Sequence, residues 1–205
     1  MSKNKHLCYL FTKKHRLTCK TTLLNSSIDL NHVFNFAKSG QFVKMNYGVG
    51  SDGVNRQYDD EIRDSEISSN MFDLGELTIE DTNSDFNITI DHMFEFLKYN
   101  KGGHFEEHED RKRYIGHSHT ICIYPPQNVE GGELIVNKKT TIPMSKDSWT
   151  VVIFPIDTLH TSNSVKSGTK YVFKGTISIK YHNVQKIIVA PLTQKLIKTK
   201  STRKD

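Results

Sequence analysis

The hydrophobic rhythm of this chain changes near Gly103. Downstream, short apolar runs rich in β-branched residues recur: HTICIY (119–124), GELIV (132–136), WTVVIF (149–154) and KYVFKGTISIKY (170–181). Turn-forming stretches separate them, PPQNVEGG (125–132), PMSKDS (143–148) and NSVKSGT (163–169). Short strands at such spacing predict a sandwich or jelly roll rather than βαβ units. Upstream the pattern is mixed. DLNHVFNF (29–36) puts Leu30, Val33 and Phe34 at helical intervals, continued by Ala37, with Ser27 or Asp29 able to cap the start. Residues 46–70 are Gly-, Asp- and Ser-rich and read as a loop. ITIDHMFEFLKY (88–99) reads equally as a helix capped by Asp91 or as a strand. We therefore expect a mainly β protein with supporting helices. Residues 1–98 form a helical and loop support, 99–182 the β core, and 183–205 a C-terminal extension with a basic tail.

Composition narrows the class. The chain has 205 residues, 36% hydrophobic and 25% charged, enough for one domain with a sizeable core. Its net charge of +5 is concentrated at the two ends, in residues 3–20 and 195–204, which read as solvated tails. Three cysteines, Cys8, Cys19 and Cys122, are too few and scattered for a disulfide framework. LCYLF after Lys5 is too short for the apolar region of a signal peptide, and no run of about 18 apolar residues exists to span a membrane. These features read as a soluble, intracellular protein without a membrane partner, and leave its oligomeric state open. Without a secretory signal, Asn87-Ile88-Thr89 is a chance sequon.

The candidate chemistry lies in GGHFEEHED (102–110), which parses in two ways. His104-x-x-Glu107-His108 matches the helical zinc motif of inverted zinc peptidases. That parse needs a helix, yet Gly102 and Gly103 stand at its start and the following runs read as strand. The second parse takes His108-x-Asp110. On a strand these two share a face, about 7 Å apart along the chain, and can converge on one ion. His160 follows the apolar run WTVVIF and is the only histidine between His119 and His182. Two imidazoles and one carboxylate on one face of an octahedral metal suit Fe(II) and leave positions open.

Ten residues beyond His160 lies Lys170, and with it the order of residues from Tyr99 to Ile179 resembles the Fe(II)/2-oxoglutarate-dependent dioxygenases, in particular their prolyl 4-hydroxylase-like branch. The matching positions are Tyr99, Gly102, Phe105, His108 and Asp110, then Thr120 and Tyr124, then Gly131, Gly132 and Glu133. They continue with Pro143, Phe154, Leu159, His160, Val165, Gly168 and Lys170. Upstream, Arg63 and Ser65 resemble the Arg-x-Ser segment of the same enzymes. Two positions depart: His117 stands where an Arg is usual, and Ser148 where a Gly precedes the apolar strand. The first is expected to alter the cosubstrate pocket, the second only a turn.

The resemblance implies a double-stranded β-helix, a cupin-like jelly roll, with Fe(II) held by His108, Asp110 and His160. It implies 2-oxoglutarate and O2 as cosubstrates, ascorbate as a reductant, and release of succinate and CO2. Lys170 would bind the distal carboxylate of 2-oxoglutarate, with Tyr99, Thr120 and Tyr124 as hydroxyl donors nearby. Arg63 would contact substrate or the pocket rim, and the 46–70 loop would act as a lid. The favoured substrate is a prolyl residue of an intracellular protein or peptide; nucleic acid is the alternative within the same chemistry. Outside it stand a non-catalytic metal-binding barrel and the zinc peptidase of His104, Glu107 and His108. His104 is expected on the strand face of His108, at the pocket mouth. His117, His119 and Cys122 lack a fourth ligand and read as surface or supporting residues, and Trp149 as packing.

Overall fold

The computed structural model describes residues 6–11, 16–45, 61–75, 77–81, 87–90, 93–110, 116–182 and 186–189. The N-terminal half holds β1 (His6–Phe11), β2 (Arg16–Ser26), the helix α1 (Leu30–Lys38), β3 (Phe42–Lys44), β4 (Arg63–Asp64) and β5 (Glu66–Asp73). These are followed by β6 (Leu77–Asp81), β7 (Asn87–Ile90) and β8 (Met93–Tyr99). Then come β9 (His104–His108), β10 (His119–Tyr124), β11 (Glu130–Gly131), β12 (Leu134–Val136), β13 (Thr140–Ile142) and β14 (Thr150–Pro155). β15 (His160–Ser162), β16 (Val165–Ser167), β17 (Lys170–Ile177), β18 (Ile179–His182) and β19 (Lys186–Val189) complete the order.

Two arrays of four strands form the body of a jelly roll. The larger, β8-β17-β10-β14, lies inside a ten-stranded sheet; the smaller is β13-β12-β15-β9, extended by β4. Side chains of both arrays meet in one buried cluster: Tyr99, Cys122, Tyr124, Val152, Phe154 and Val172 from the larger, Phe105, Leu134, Val136 and Ile142 from the smaller. The opposite face of the larger array is also buried. There Phe96, Ile121, Ile123, Val151, Ile153 and Phe173 pack with α1 residues Leu30 and Ala37. A strand covered on both faces needs apolar residues at successive positions. This is why HTICIY and TVVIF read as continuous apolar runs, and every residue of β10 and β14 is buried. It also sets the phase: even-numbered residues of β10 and β17 face the space between the arrays.

The helix begins where expected. Asp29 caps it, its Oδ1 accepting from the backbone N–H of Asn31 at 2.9 Å and His32 at 3.3 Å. Trp149 packs in the outer core against Phe34 and Phe173, and Ser148 sits in a turn where Ser145 Oγ accepts its backbone N–H at 3.0 Å.

The structure revises two upstream expectations. The support from residues 1–98 is chiefly strand, with one helix among the described residues. LCYLF belongs to β1, which runs parallel to β14 and antiparallel to β2. The polar stretch 46–70 is not all loop: β4 and β5 occupy its end, with β5 paired to β3 and β8. Pairing with neighbours outweighs the low strand propensity of Ser and Asn there. Residues 46–60, the bulk of the expected lid, lie outside the described residues. The 88–99 run is strand in β7 and β8, with residues 91–92 outside the described set. Strand also enters the C-terminal extension, as β19 on β18, while residues 190–205 lie outside the described set. No helix among the described residues is long and apolar enough to cross a membrane.

Candidate metal and cosubstrate site

His108 closes β9 and His160 opens β15, and the two strands pair with these residues directly opposite. Their ring centroids are 4.2 Å apart. Asp110, two residues past His108, turns its carboxylate toward both: Oδ1 lies 3.8 Å from His108 Nε2, and Oδ2 3.6 Å from His160 Nε2. One ligand atom from each of the three lies within 4.8 Å of the others.

Each imidazole is oriented by its own chain. His108 Nδ1 lies 2.7 Å from the Glu106 carbonyl and His160 Nδ1 2.9 Å from that of Thr158. A carbonyl can only accept, so each Nδ1 carries the proton and each Nε2 presents a lone pair to the centre. His108 Nε2 is buried and has no hydrogen-bond partner. Burial, with the neighbouring His160, pushes the His108 pKa down to about 3, and burial lowers His160 as well. Burial works to raise the Asp110 pKa, but the Lys174 ammonium, with the hydrogen bonds from Lys174 and Thr120, prevails and holds it well below the usual carboxylate range. Two neutral imidazoles and one carboxylate anion are the donor set Fe(II) takes. The residues present therefore fit the metal, with the buried His108 Nε2 facing the centre without a hydrogen-bond partner.

The supports around the ligands are specific. Thr120 Oγ1 donates to Asp110 Oδ2 at 2.7 Å, and Lys174 Nζ to Oδ1. Phe105 stacks on His108 with centroids 3.5 Å apart and planes 20° from parallel. The Arg63 guanidinium covers the other side of Phe105 at 4.3 Å, and its Nε donates to Ser65 Oγ at 2.7 Å. Arg63 is thus buried beneath a ligand as one layer of a stack, rather than standing at an open rim.

Lys170 is fully buried between the arrays. Nζ donates to the Gly132 carbonyl at 2.7 Å and to Ser162 Oγ at 2.6 Å. It lies 4.7 Å from the ring centre of Tyr99 and 5.5 Å from that of Tyr124. Burial pushes its pKa down to about 8, with the Glu133 carboxylate acting in the opposite sense. Gly132 makes this approach possible: its φ of +69° is left-handed, and a Cβ there would sit 3.1 Å from Lys170 Cδ.

Of the sequence candidates, the structure thus brings together His108, Asp110, His160 and Thr120 at the centre, and Lys170, Tyr99 and Tyr124 beside them. Thr120 donates its hydroxyl to Asp110. The zinc parse fails on geometry. Residues 104–108 are strand, the His104 ring is engaged by the Gly102 and Glu61 carbonyls at 3.0 Å each, and Glu107 pairs with Lys138 at the surface. His104 also misses the face of His108. Between the pairs Phe105↔Ser162 and His108↔His160, β9 carries one extra residue, a bulge that brings Phe105 to that face instead. His117 is buried rather than exposed, and hydrogen-bonds Thr176. Lys174 was not singled out from the sequence. Its signal was there: four residues from Lys170 on one strand, it shares Lys170's face.

No protein-family model matches the chain. The chain is similar to a curated PKHD-type hydroxylase of Crocosphaera subtropica, 29% identical over 94 residues that cover 42% of this chain and 42% of that protein. It therefore spans about two fifths of the length of that relative. Among solved structures it is similar to a 2OG-Fe(II) oxygenase family oxidoreductase from Burkholderia pseudomallei, with TM-score 0.46, 12% identity, and coverage of 76% of this chain and 84% of the other. A Trichoplax adhaerens prolyl hydroxylase, in complex with a hypoxia inducible factor peptide fragment, gives TM-score 0.44, 15% identity and coverage of 75% and 80%. A Pseudomonas putida prolyl-4-hydroxylase gives 0.41, 14%, and coverage of 72% and 97%. The likeness first carried by the motifs is thus met by the jelly roll, by a two-histidine, one-carboxylate centre and by a curated hydroxylase relative: the chain resembles the Fe(II)/2-oxoglutarate-dependent dioxygenases of the prolyl 4-hydroxylase-like branch.

Proposed function

We propose that this protein is an Fe(II)- and 2-oxoglutarate-dependent dioxygenase that hydroxylates a prolyl residue of an intracellular protein, releasing succinate and CO2. The observation that carries the reading is that the space between the two strand arrays holds both the ligand set of His108, Asp110 and His160 and a buried ammonium, Lys170, hydrogen-bonded to neutral groups. A bound Fe(II) would supply the activation of O2 and the oxidative decarboxylation of 2-oxoglutarate. The chain's own residues do the rest. His108 and His160 offer Nε2 lone pairs at almost no protonation cost near neutral pH. Thr120 and Lys174 fix the Asp110 carboxylate. Lys170 offers its ammonium to the distal carboxylate of the cosubstrate, a charge-assisted bond stronger than those it makes to a carbonyl and a hydroxyl. Tyr99 and Tyr124 wall that end against water, and burial holds the Tyr124 phenol in its protonated, donating form. The prolyl target rests on the motif resemblance of the core.

The test is aerobic incubation of iron-loaded protein with 2-oxoglutarate, following succinate, then a mass search for +16 on prolyl residues of peptides from a lysate. Succinate that depends on His160 and rises with a hydroxylated prolyl peptide is expected. No succinate from protein shown to hold iron refutes the reaction class; +16 on another residue or on nucleic acid refutes only the substrate.

A further inference from the structure

A second lysine, Lys174, lies four residues from Lys170 along β17, on the same strand face. Lys174 faces inward on β17, largely shielded from solvent, with its ammonium on Asp110 Oδ1. The other Asp110 oxygen accepts from Thr120. The carboxylate that pairs with Lys174 is therefore the same one that completes the metal ligand set. A bound dication and this ammonium would share one negative charge.

The surroundings do not make up the difference. Lys170 donates to a carbonyl and a hydroxyl rather than to a carboxylate. Arg63 adds positive potential at Lys174, while Glu133 acts on Lys170. Cys122 lies next to both lysines, but burial pushes its thiol up to about 11, so it stays neutral and brings no anion. Like charges in a poorly hydrated interior repel far more strongly than in water. A ligand with a carboxylate at each end answers this charge pattern, one end at Lys170 and the other beside the metal and Lys174.

Resting on the proposed function, we propose that Lys174 is a positioning residue that fixes Asp110 and makes metal retention by His108, Asp110 and His160 conditional on a bound dicarboxylate. Without the dicarboxylate, the ammonium opposes the metal; with it, both cations are neutralised together. Metal and cosubstrate then bind cooperatively, and by linkage each tightens the other by the same factor.

Calorimetric titration of Mn(II), which binds such sites without turnover, into the metal-free protein with and without 2-oxoglutarate tests this. In the wild type, 2-oxoglutarate should tighten Mn(II) on the order of 100-fold, the scale of a strong coupling between sites. Lys174→Gln keeps a donor to Asp110 but removes the charge. It should bind Mn(II) alone on the order of tenfold tighter than wild type, and the tightening by 2-oxoglutarate should shrink by a similar factor. Lys174→Arg should behave as the wild type. Mn(II) binding to Lys174→Gln that is no tighter than wild type, or coupling of undiminished size, overturns the inference. Lys174→Met provides the same comparison should the Gln variant fail to fold by circular dichroism. A wild type that binds no Mn(II) under either condition sinks the proposed function itself; normal wild-type binding with an unaltered variant sinks only the role of Lys174.

Discussion

Replacing Lys170 with Met separates the cost of burying a charge from the gain of using it. In the folded protein without cosubstrate, the Lys170 pKa falls from 10.5 to about 8. Keeping that ammonium charged where it is buried therefore costs roughly 3 kcal/mol at neutral pH, at 1.36 kcal/mol per pH unit. Met fills similar space without charge. It leaves the Gly132 carbonyl and Ser162 hydroxyl without their donor, a loss of about 1–3 kcal/mol. The two nearly cancel, so the variant should be about as stable as wild type by urea unfolding. Cosubstrate binding should not survive so well. The distal carboxylate would be buried without its partner, at a cost on the order of 3–5 kcal/mol, so affinity for 2-oxoglutarate should fall roughly 100-fold or more. Titration into the anaerobic iron complex, followed by its visible charge-transfer absorption, measures this. The pH dependence gives a second handle. Because the folded pKa lies below the unfolded one, the unfolded chain binds more protons between pH 8 and 10.5, so wild-type stability should rise with pH across that window. Affinity for the dianion should fall over the same range as the ammonium is lost. Lys170→Met should show neither trend. An unchanged affinity in Lys170→Met would refute the assignment, because it would show that the buried ammonium is not the group that meets the carboxylate.

Three further outcomes follow from the site. His160→Ala should abolish Fe(II) binding, read by calorimetry, while leaving the β-sheet circular dichroism intact; His104→Ala should bind Fe(II) normally, since its ring is occupied by the Gly102 and Glu61 carbonyls. Metal-free protein should lose stability as pH falls from about 6.5 toward 3, because burial holds the His108 pKa down to about 3 and the unfolded chain takes up the extra proton; thermal melts across that range that do not shift would refute it. Gly132→Ala should cost roughly 1–2 kcal/mol, because the left-handed φ penalises a Cβ, and the 3.1 Å approach to Lys170 should weaken 2-oxoglutarate binding in titration.

The centre was legible in the sequence because strand periodicity carries direction. His108 and Asp110 two apart, and a histidine at the margin of an apolar strand, are local patterns that survive folding. The inward lysine could be read because a cation amid Tyr171, Val172 and Phe173 needs an anion or a polar lining. What escaped depended on distant partners. The bulge in β9 arises from pairing with β15, and no local composition marks it, so His104 was placed on the wrong face. β5 is strand because β3 and β8 flank it, although its residues suggest a loop. Arg63 looks like a rim residue until β4 pairs with β9 and lays the guanidinium over Phe105. Lys174 needed only the alternation already used for Lys170, carried one step further.

The N-terminal strand has a practical meaning for anyone handling this protein. Among the described residues, β14 pairs with β10 on one side and with β1 on the other. The strand beneath, TVVIFP, is buried at every position. β1 also sends Cys8 into the outer core and Phe11 into the inner one. A truncation that removes the first eleven residues would therefore bare an apolar strand edge and unplug both layers at once. Such an edge recruits strands from other molecules. Shortened versions that begin near residue 16 should accumulate in inclusion bodies with every metal ligand intact, and an inactive preparation of that kind would report on its missing edge rather than on its chemistry.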